Sequence, residues 1–190
     1  MKFKKLLSAM LLGISLFSYA TSAKAGVIDE LKTQYPKAII NTKKLVDSAG
    51  IEYERKTMPL FASILSDKSS VLMGVNLMTI KGKNYVTLDF WRRDVNVIFI
   101  DTARFHDGQG MFQLMAIGEP KRGIRNGKVE ESFVIAPVAR DLEIIKNAKT
   151  ITVVGRESKE DVDFARNQYP LEITFKQAIE YAIRHLNENH

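Results

Sequence analysis

The residues able to do chemistry are few. Of the three histidines, His106, His185 and His190, only His106 keeps company suited to catalysis. It stands beside Asp107 and five residues after Asp101, the residue types of a general base or a metal ligand. A zinc or hydrolytic site needs further donors at fixed spacing, and no H-x-E or HExxH pattern supplies them. His185 falls on the polar side of a helical stretch and His190 is terminal, so both are expected in solvent. Ser63, Ser66, Ser69 and Ser70 lack a G-x-S-x-G elbow or an S-x-x-K, and read as turn residues that bond their own backbone. Asp161 and Asp163 follow Glu157 and Glu160, but a calcium loop would need a glycine and a bidentate glutamate that are not there. The chain has no cysteine, which excludes disulfides, thiol catalysis, Cys-ligated zinc and iron–sulfur clusters. No cofactor and no metal is expected.

The remaining candidates are surfaces. Trp91-Arg92-Arg93-Asp94 sets the only tryptophan beside two arginines at a strand end, and both residue types are favoured at interface hot spots. The competing reading has Trp91 covering the edge of the core while Arg92 and Arg93 are solvated. Between Lys121 and Lys128 the chain carries Lys121, Arg122, Arg125 and Lys128 and no acid. Such a hairpin suits an anionic partner, such as lipid headgroups, cell-wall polymer or an acidic protein face, or is a solvated tip.

The elements that must position these residues are helical at the ends and β in the middle. Val27 to Ala49 has helical spacing, interrupted at Pro36, which gives two short helices or one bent one closed by Gly50. Ile51 to Asp67 is ambiguous and leans to strand over Leu60 to Leu65. From Ser70 to Ile117 the apolar signal has period two or runs in short blocks. Val71 to Ile80 and Tyr85 to Trp91 form a hairpin about Lys81-Gly82-Lys83-Asn84, followed by Val95 to Ile100, Ala103 with Phe105, and Met111 to Ile117. A turn-rich stretch, Glu119 to Lys128, precedes the strand Ser132 to Ile135. Val138 to Ala148 is helical, Thr150 to Val154 a strand, and Leu171 to Ile173 a last strand after a charged loop. Thr174 and Gln177 make a capping box for a final helix, with Phe175, Ala178, Ile179, Ala182, Ile183 and Leu186 on one stripe. Strand-to-strand gaps too short for crossover helices predict an α+β chain with an antiparallel, β-sandwich-like core, an N-terminal helical segment and a C-terminal amphipathic helix.

The first 25 residues read as an export signal. Lys2, Lys4 and Lys5 precede an apolar run from Leu6 to Tyr19, and Ala23-Lys24-Ala25 has the small-x-small pattern of a cleavage site before Gly26. The 14-residue run is shorter than the roughly 20 needed to span a bilayer. Cleavage would leave a helical segment over 26–50 and a β-rich domain over 51–190. The segment takes four of the 28 Lys and Arg residues and no acid, so the rest keeps 24 bases and 22 acids, a net +2. The basic excess belongs largely to the signal, and nucleic acid is not an expected partner. The periplasm, or secretion, is the expected location, with no transmembrane segment after cleavage.

One ordered series of residues resembles known families. It runs Phe61-Ala62-Ser63-x-x-Ser66-Asp67, Val95 to Phe99, Thr102-Ala103-Arg104-Phe105-His106-Asp107-Gly108 and Phe133-x-x-x-Pro137. It continues as Leu142-x-x-Ile145-x-x-Ala148-Lys149-x-Ile151-x-Val153 and Leu171-x-Ile173-Thr174-Phe175-x-x-Ala178-Ile179-x-Tyr181. Met58 to Leu186 in this order resembles the small exported β-sandwich modules of invasion-associated locus B proteins and type VI secretion-associated VasI-like proteins, without their cysteines. The resemblance implies an exported, non-enzymatic accessory protein and carries over no catalytic residue. The expected function is therefore an envelope accessory or binding protein that contacts an envelope protein or complex. The alternatives are a periplasmic inhibitor or immunity protein, and a small-ligand binder or hydrolase using the His106 loop.

Overall fold

The computed structural model describes residues 26–156, 158–164 and 173–188. Helix α1 (Val27–Gln34) precedes β1 (Asn41–Val46), β2 (Glu52–Thr57), β3 (Phe61–Ile64), β4 (Ser70–Ile80), β5 (Lys83–Asp94), β6 (Thr102–His106), β7 (Met111–Met115), β8 (Lys121–Arg125) and β9 (Lys128–Ile135). Helix α2 (Ala139–Asn147), β10 (Thr150–Val154), β11 (Lys159–Val162) and helix α3 (Phe175–Asn187) complete the chain. All strands pair antiparallel. A large sheet has the order β1-β2-β4-β5-β9-β8, with β3 also on β4, and a small sheet has the order β11-β10-β6-β7. The expected sheet-rich α+β architecture is formed, its large sheet curled like half a barrel.

The long β4–β5 hairpin is the spine. Its tip, Lys81–Gly82, has both residues at positive φ, as does Asn126–Gly127 between β8 and β9. These are two-residue turns whose twist matches that of the flanking strands. Pro59, which cannot donate to a ladder, lies in the gap between β2 and β3. Strands β2 and β3 line the same edge of β4 in succession, on Asn76 to Thr79 and on Ser70 to Met73, with the Met58 N–H holding Val75 O across the gap at 2.8 Å.

Unbroken registers sort every residue of the large sheet onto one of two faces. Val71, Met73, Val75 and Leu77 on β4 and Val86, Leu88 and Phe90 on β5 turn inward and join the main hydrophobic cluster with Ala178, Ile179 and Ala182 of α3. The capping box at the start of α3 forms as expected, with Thr174 N–H on Gln177 Oε1 at 2.9 Å and Gln177 N–H on Thr174 Oγ1 at 3.3 Å. Its last carbonyls are held from the sheet, where Asn84 Nδ2 donates to His185 O at 2.7 Å and Glu188 O at 3.1 Å. His185 is therefore no solvent residue: it is buried, with Nε2 3.0 Å from Met78 O. His190 lies outside the described residues.

Four local expectations are corrected. The helical spacing of Val27 to Ala49 ends at Gln34, and Asn41 to Val46 is strand β1, paired with β2 from Asn41↔Thr57 to Val46↔Glu52. Ladder bonds outweigh the helical pattern here, and on β1 Leu45 is half-buried while Val46 is exposed. Gly50 closes a hairpin turn there rather than a helix, with Asp47 Oδ1 accepting from Ala49 and Ile51. Val95 to Ile100 is a connection, not a strand, because the Ile98 and Phe99 N–H groups go to the Glu131 carboxylate at 3.1 and 2.7 Å. Lys121 to Arg125 is a strand on β9, not a loop, and the charged loop after Val154 contains β11. Of the expected strand Leu171 to Ile173, Leu171 and Glu172 lie outside the described residues.

Candidate functional site on the outer face of the large sheet

The chemistry-bearing loop comes apart in three dimensions. Asp101 and His106 stand at opposite ends of β6, about 16 Å apart at the usual rise of a strand. Asp101 Oδ1 accepts from Thr102 Oγ1 at 2.8 Å. The exposed His106 uses Nδ1 to accept from the Gly108 N–H at 3.1 Å. Asp107 Oδ1 accepts from the Gln109 and Gly110 N–H groups at 2.7 and 2.9 Å, and those bonds hold its carboxyl below the usual range. This is hairpin-turn chemistry. Among the described residues, no three His, Asp or Glu side chains converge as metal ligands. Ser66 likewise serves a turn, accepting from Lys68 and Ser69, and Ser63 accepts from the Asp163 N–H at 3.0 Å.

The Trp91-Arg92-Arg93 run is split by strand alternation. Arg92 turns inward and is 2% exposed. Its Nε and Nη2 grip the two oxygens of Glu160 on β11 at 2.8 and 2.7 Å, and Nη1 donates to Asn96 O at 2.7 Å and Glu131 at 3.3 Å, with Asp94 3.1 Å from Nη2. Burial opposes the charge of this guanidinium, but the surrounding carboxylates outweigh it and raise its pKa. Arg92 is thus a clamp between the two sheets. Arg122 also points inward, its guanidinium 5.0 Å above the Phe99 ring and its Nε 3.5 Å from Glu131.

Trp91, Arg93, Lys121, Arg125 and Lys128 share the other face. In register, Trp91 lies across from Ser132, which faces Lys121, while Arg93 lies across from Glu130, and Arg125 from Lys128. The same alternation adds Lys43, Arg55 and Lys83 from the far half of the sheet. This outer face presents seven bases (Lys43, Arg55, Lys83, Arg93, Lys121, Arg125, Lys128) against two acids (Asp89, Glu130). On the inner face Lys44, Lys56, Arg92 and Arg122 balance Glu52, Glu54, Asp94 and Glu131.

The outer face also has a polar centre that the sequence reading overlooked. Thr57 Oγ1 donates to Asn76 Oδ1 at 2.7 Å, Asn76 Nδ2 donates to Thr87 Oγ1 at 3.0 Å, and Thr87 donates to Asp89 Oδ1 at 3.3 Å. Arg55 Nη1 lies 3.9 Å from Asp89 Oδ2, and its buried Nε has no hydrogen-bond partner. Burial pushes the Asp89 carboxyl up, partly offset by Asn76, Arg55, Thr87 and Lys121. The only hint in the sequence was the stripe Thr87, Asp89, Trp91 opposite Val86, Leu88, Phe90. Trp91 is half-buried beside this centre, pressed against Gly74: a Cβ there would sit 3.1 Å from the indole and 3.2 Å from Leu60. Arg93 and Lys128 open onto a depression of about 430 Å³ bordered by Ile64 and Ser66 to Ser70.

The arrangement offers positive charge, an aromatic plate and a few fixed polar groups, with no nucleophile–base pair. No protein family, curated protein or solved structure matches this chain.

Proposed function

We propose that the protein is an exported, non-enzymatic binding protein of the bacterial envelope that docks an acidic protein surface on the outer face of its large sheet. The observation that carries this reading is the seven-to-two excess of bases on that face, gathered by strand register from segments far apart in sequence. Clustered charge of one sign steers a complementary partner and raises its rate of encounter. Trp91 supplies apolar area at the centre, where interfaces are anchored. The docking part of this reading rests on the chemistry of this face, and the export part on the signal-like first 25 residues.

The test is chemical cross-linking in intact cells, followed by identification of captured proteins. The wild type is expected to capture a defined acidic envelope partner, with recovery falling as salt rises. Charge reversal at Lys121, Arg125 and Lys128, all on exposed or half-exposed positions, is expected to abolish capture while the circular dichroism spectrum is kept. Equal capture by a folded triple-reversal variant overturns the proposal.

A further inference from the structure

Sheet edges are templates for association, and most of the edges here are guarded by charge. Edge strand β1 carries Lys43 and Lys44, β8 carries Lys121, Arg122 and Arg125, and β11 carries Lys159, Glu160 and Asp161. Strand β3 is uncharged but buried except at Ile64. Strand β7, Met111-Phe112-Gln113-Leu114-Met115, forms the free edge of the small sheet with no charge at all. Met111 and Met115 are 62% and 67% exposed, and Gln113 between them is exposed too.

The ladder shows which main-chain groups are free. The Ala116 N–H bonds Asp101 O at 2.7 Å, one step beyond the β6–β7 register. Pairs at every second step, Ala103↔Leu114 and Phe105↔Phe112, are therefore the hydrogen-bonded ones. The N–H and C=O groups of Met111, Gln113 and Met115 point away from β6.

We infer that this edge pairs antiparallel with the same edge of a second copy of the chain, about a two-fold axis at Gln113. The strand is self-complementary in that arrangement. Met111 falls opposite Met115, Phe112 opposite Leu114 and Gln113 opposite itself, so apolar residues meet apolar ones. Three pairs that each exchange two hydrogen bonds satisfy the outward groups, and two four-stranded sheets become one of eight. The basic outer face belongs to the other sheet and is not used in this pairing.

A cysteine-free chain makes the test direct. Residues opposite each other in a hydrogen-bonded antiparallel pair have Cα atoms about 5.5 Å apart, inside the roughly 4.4–6.8 Å range of a disulfide. Oxidised Gln113→Cys is expected to run as a covalent dimer, and Lys81→Cys, on a turn elsewhere, as a monomer. The unmodified chain is expected to sediment as a dimer, and Gln113→Lys, which sets two ammonium groups face to face, to weaken dimerisation about tenfold or more with an unchanged circular dichroism spectrum. A wild-type monomer at high micromolar concentration overturns the inference. So does a dimer that survives Gln113→Lys, or one that is not trapped through position 113.

Discussion

Replacing Arg92 by methionine keeps the volume and removes the charge from the most enclosed ionic cluster of the described chain. The consequence follows from what is left behind. Glu131, whose side chain is fully buried, would keep the Ile98 and Phe99 N–H groups and the 3.5 Å contact from Arg122. It would lose its 3.3 Å partner, while Glu160 would lose both prongs of its fork and Asp94 its 3.1 Å neighbour. Removing one partner of a buried ion pair costs about 3–5 kcal/mol, because the other charge stays in the interior unpaired. That is a large share of the roughly 5–15 kcal/mol that holds a domain together. With a urea slope of about 2 kcal/mol per molar, the midpoint falls by roughly 1.5–2.5 M. Trp91, the only tryptophan, reports the transition by fluorescence, and circular dichroism checks that both probes coincide. Arg92→Lys keeps the charge without the fork and should fall between the two. Arg92→Met with Glu131→Gln should recover part of the loss, because the cost lies in the uncompensated charge. A midpoint shift below about 0.5 M for Arg92→Met, or a double variant no better than the single one, would refute the reasoning.

Asp89→Asn keeps the shape of the polar centre and removes a carboxyl whose pKa burial raises. The folded state then holds its proton to higher pH than the unfolded one, so ionisation of Asp89 costs stability as pH rises through the folded pKa; the variant should be the more stable one at pH 7, and a thermal melting series whose slope with pH matches wild type would contradict this. Gly74→Ala puts a methyl group 3.1 Å from the indole of Trp91, so it should shift the fluorescence maximum and cost about 1–3 kcal/mol of stability in the same urea assay. Arg122→Ala removes a cation 5.0 Å over Phe99, worth about 0.5–1 kcal/mol, and should speed amide exchange along Lys121 to Arg125 more than elsewhere.

Strand alternation explains both what could be read in the sequence and what could not. Val86, Leu88 and Phe90 announced a half-buried strand, and the capping box announced the start of α3, because each signal is local. Asn41 to Val46 misled, since its partner β2 lies across a turn and period alone cannot reveal a ladder. Val95 to Ile100 misled for the converse reason: its β-branched residues look like a strand, but the acceptor for its N–H groups is a glutamate more than thirty residues later. His185 looked solvated because helical spacing does not show that the sheet end wraps its carbonyl and ring. Within Trp91-Arg92-Arg93 the charges were visible, but not that every second residue belongs to a different environment.

That division also shows how residues 26–190, with little net charge, can present one strongly basic face. Residues 26–190 hold 24 bases and 22 acids, a net +2 that argues against steering of any kind. Seven bases against two acids give the outer face of the large sheet +5, so everything else in those residues sums to −3. The inner face is internally balanced, four against four, with Arg92 and Arg122 set among Asp94 and Glu131 and Lys56 paired with Glu54. Net charge is therefore the wrong quantity for this chain. A partner approaching the outer face would meet the local +5 within a Debye length of about 8–10 Å, beyond which the other charges of the chain are screened. The two-residue period of a strand is what separates the charges, and a single-residue slip of β5 would turn Arg92 outward and bury Trp91 and Arg93 in its place.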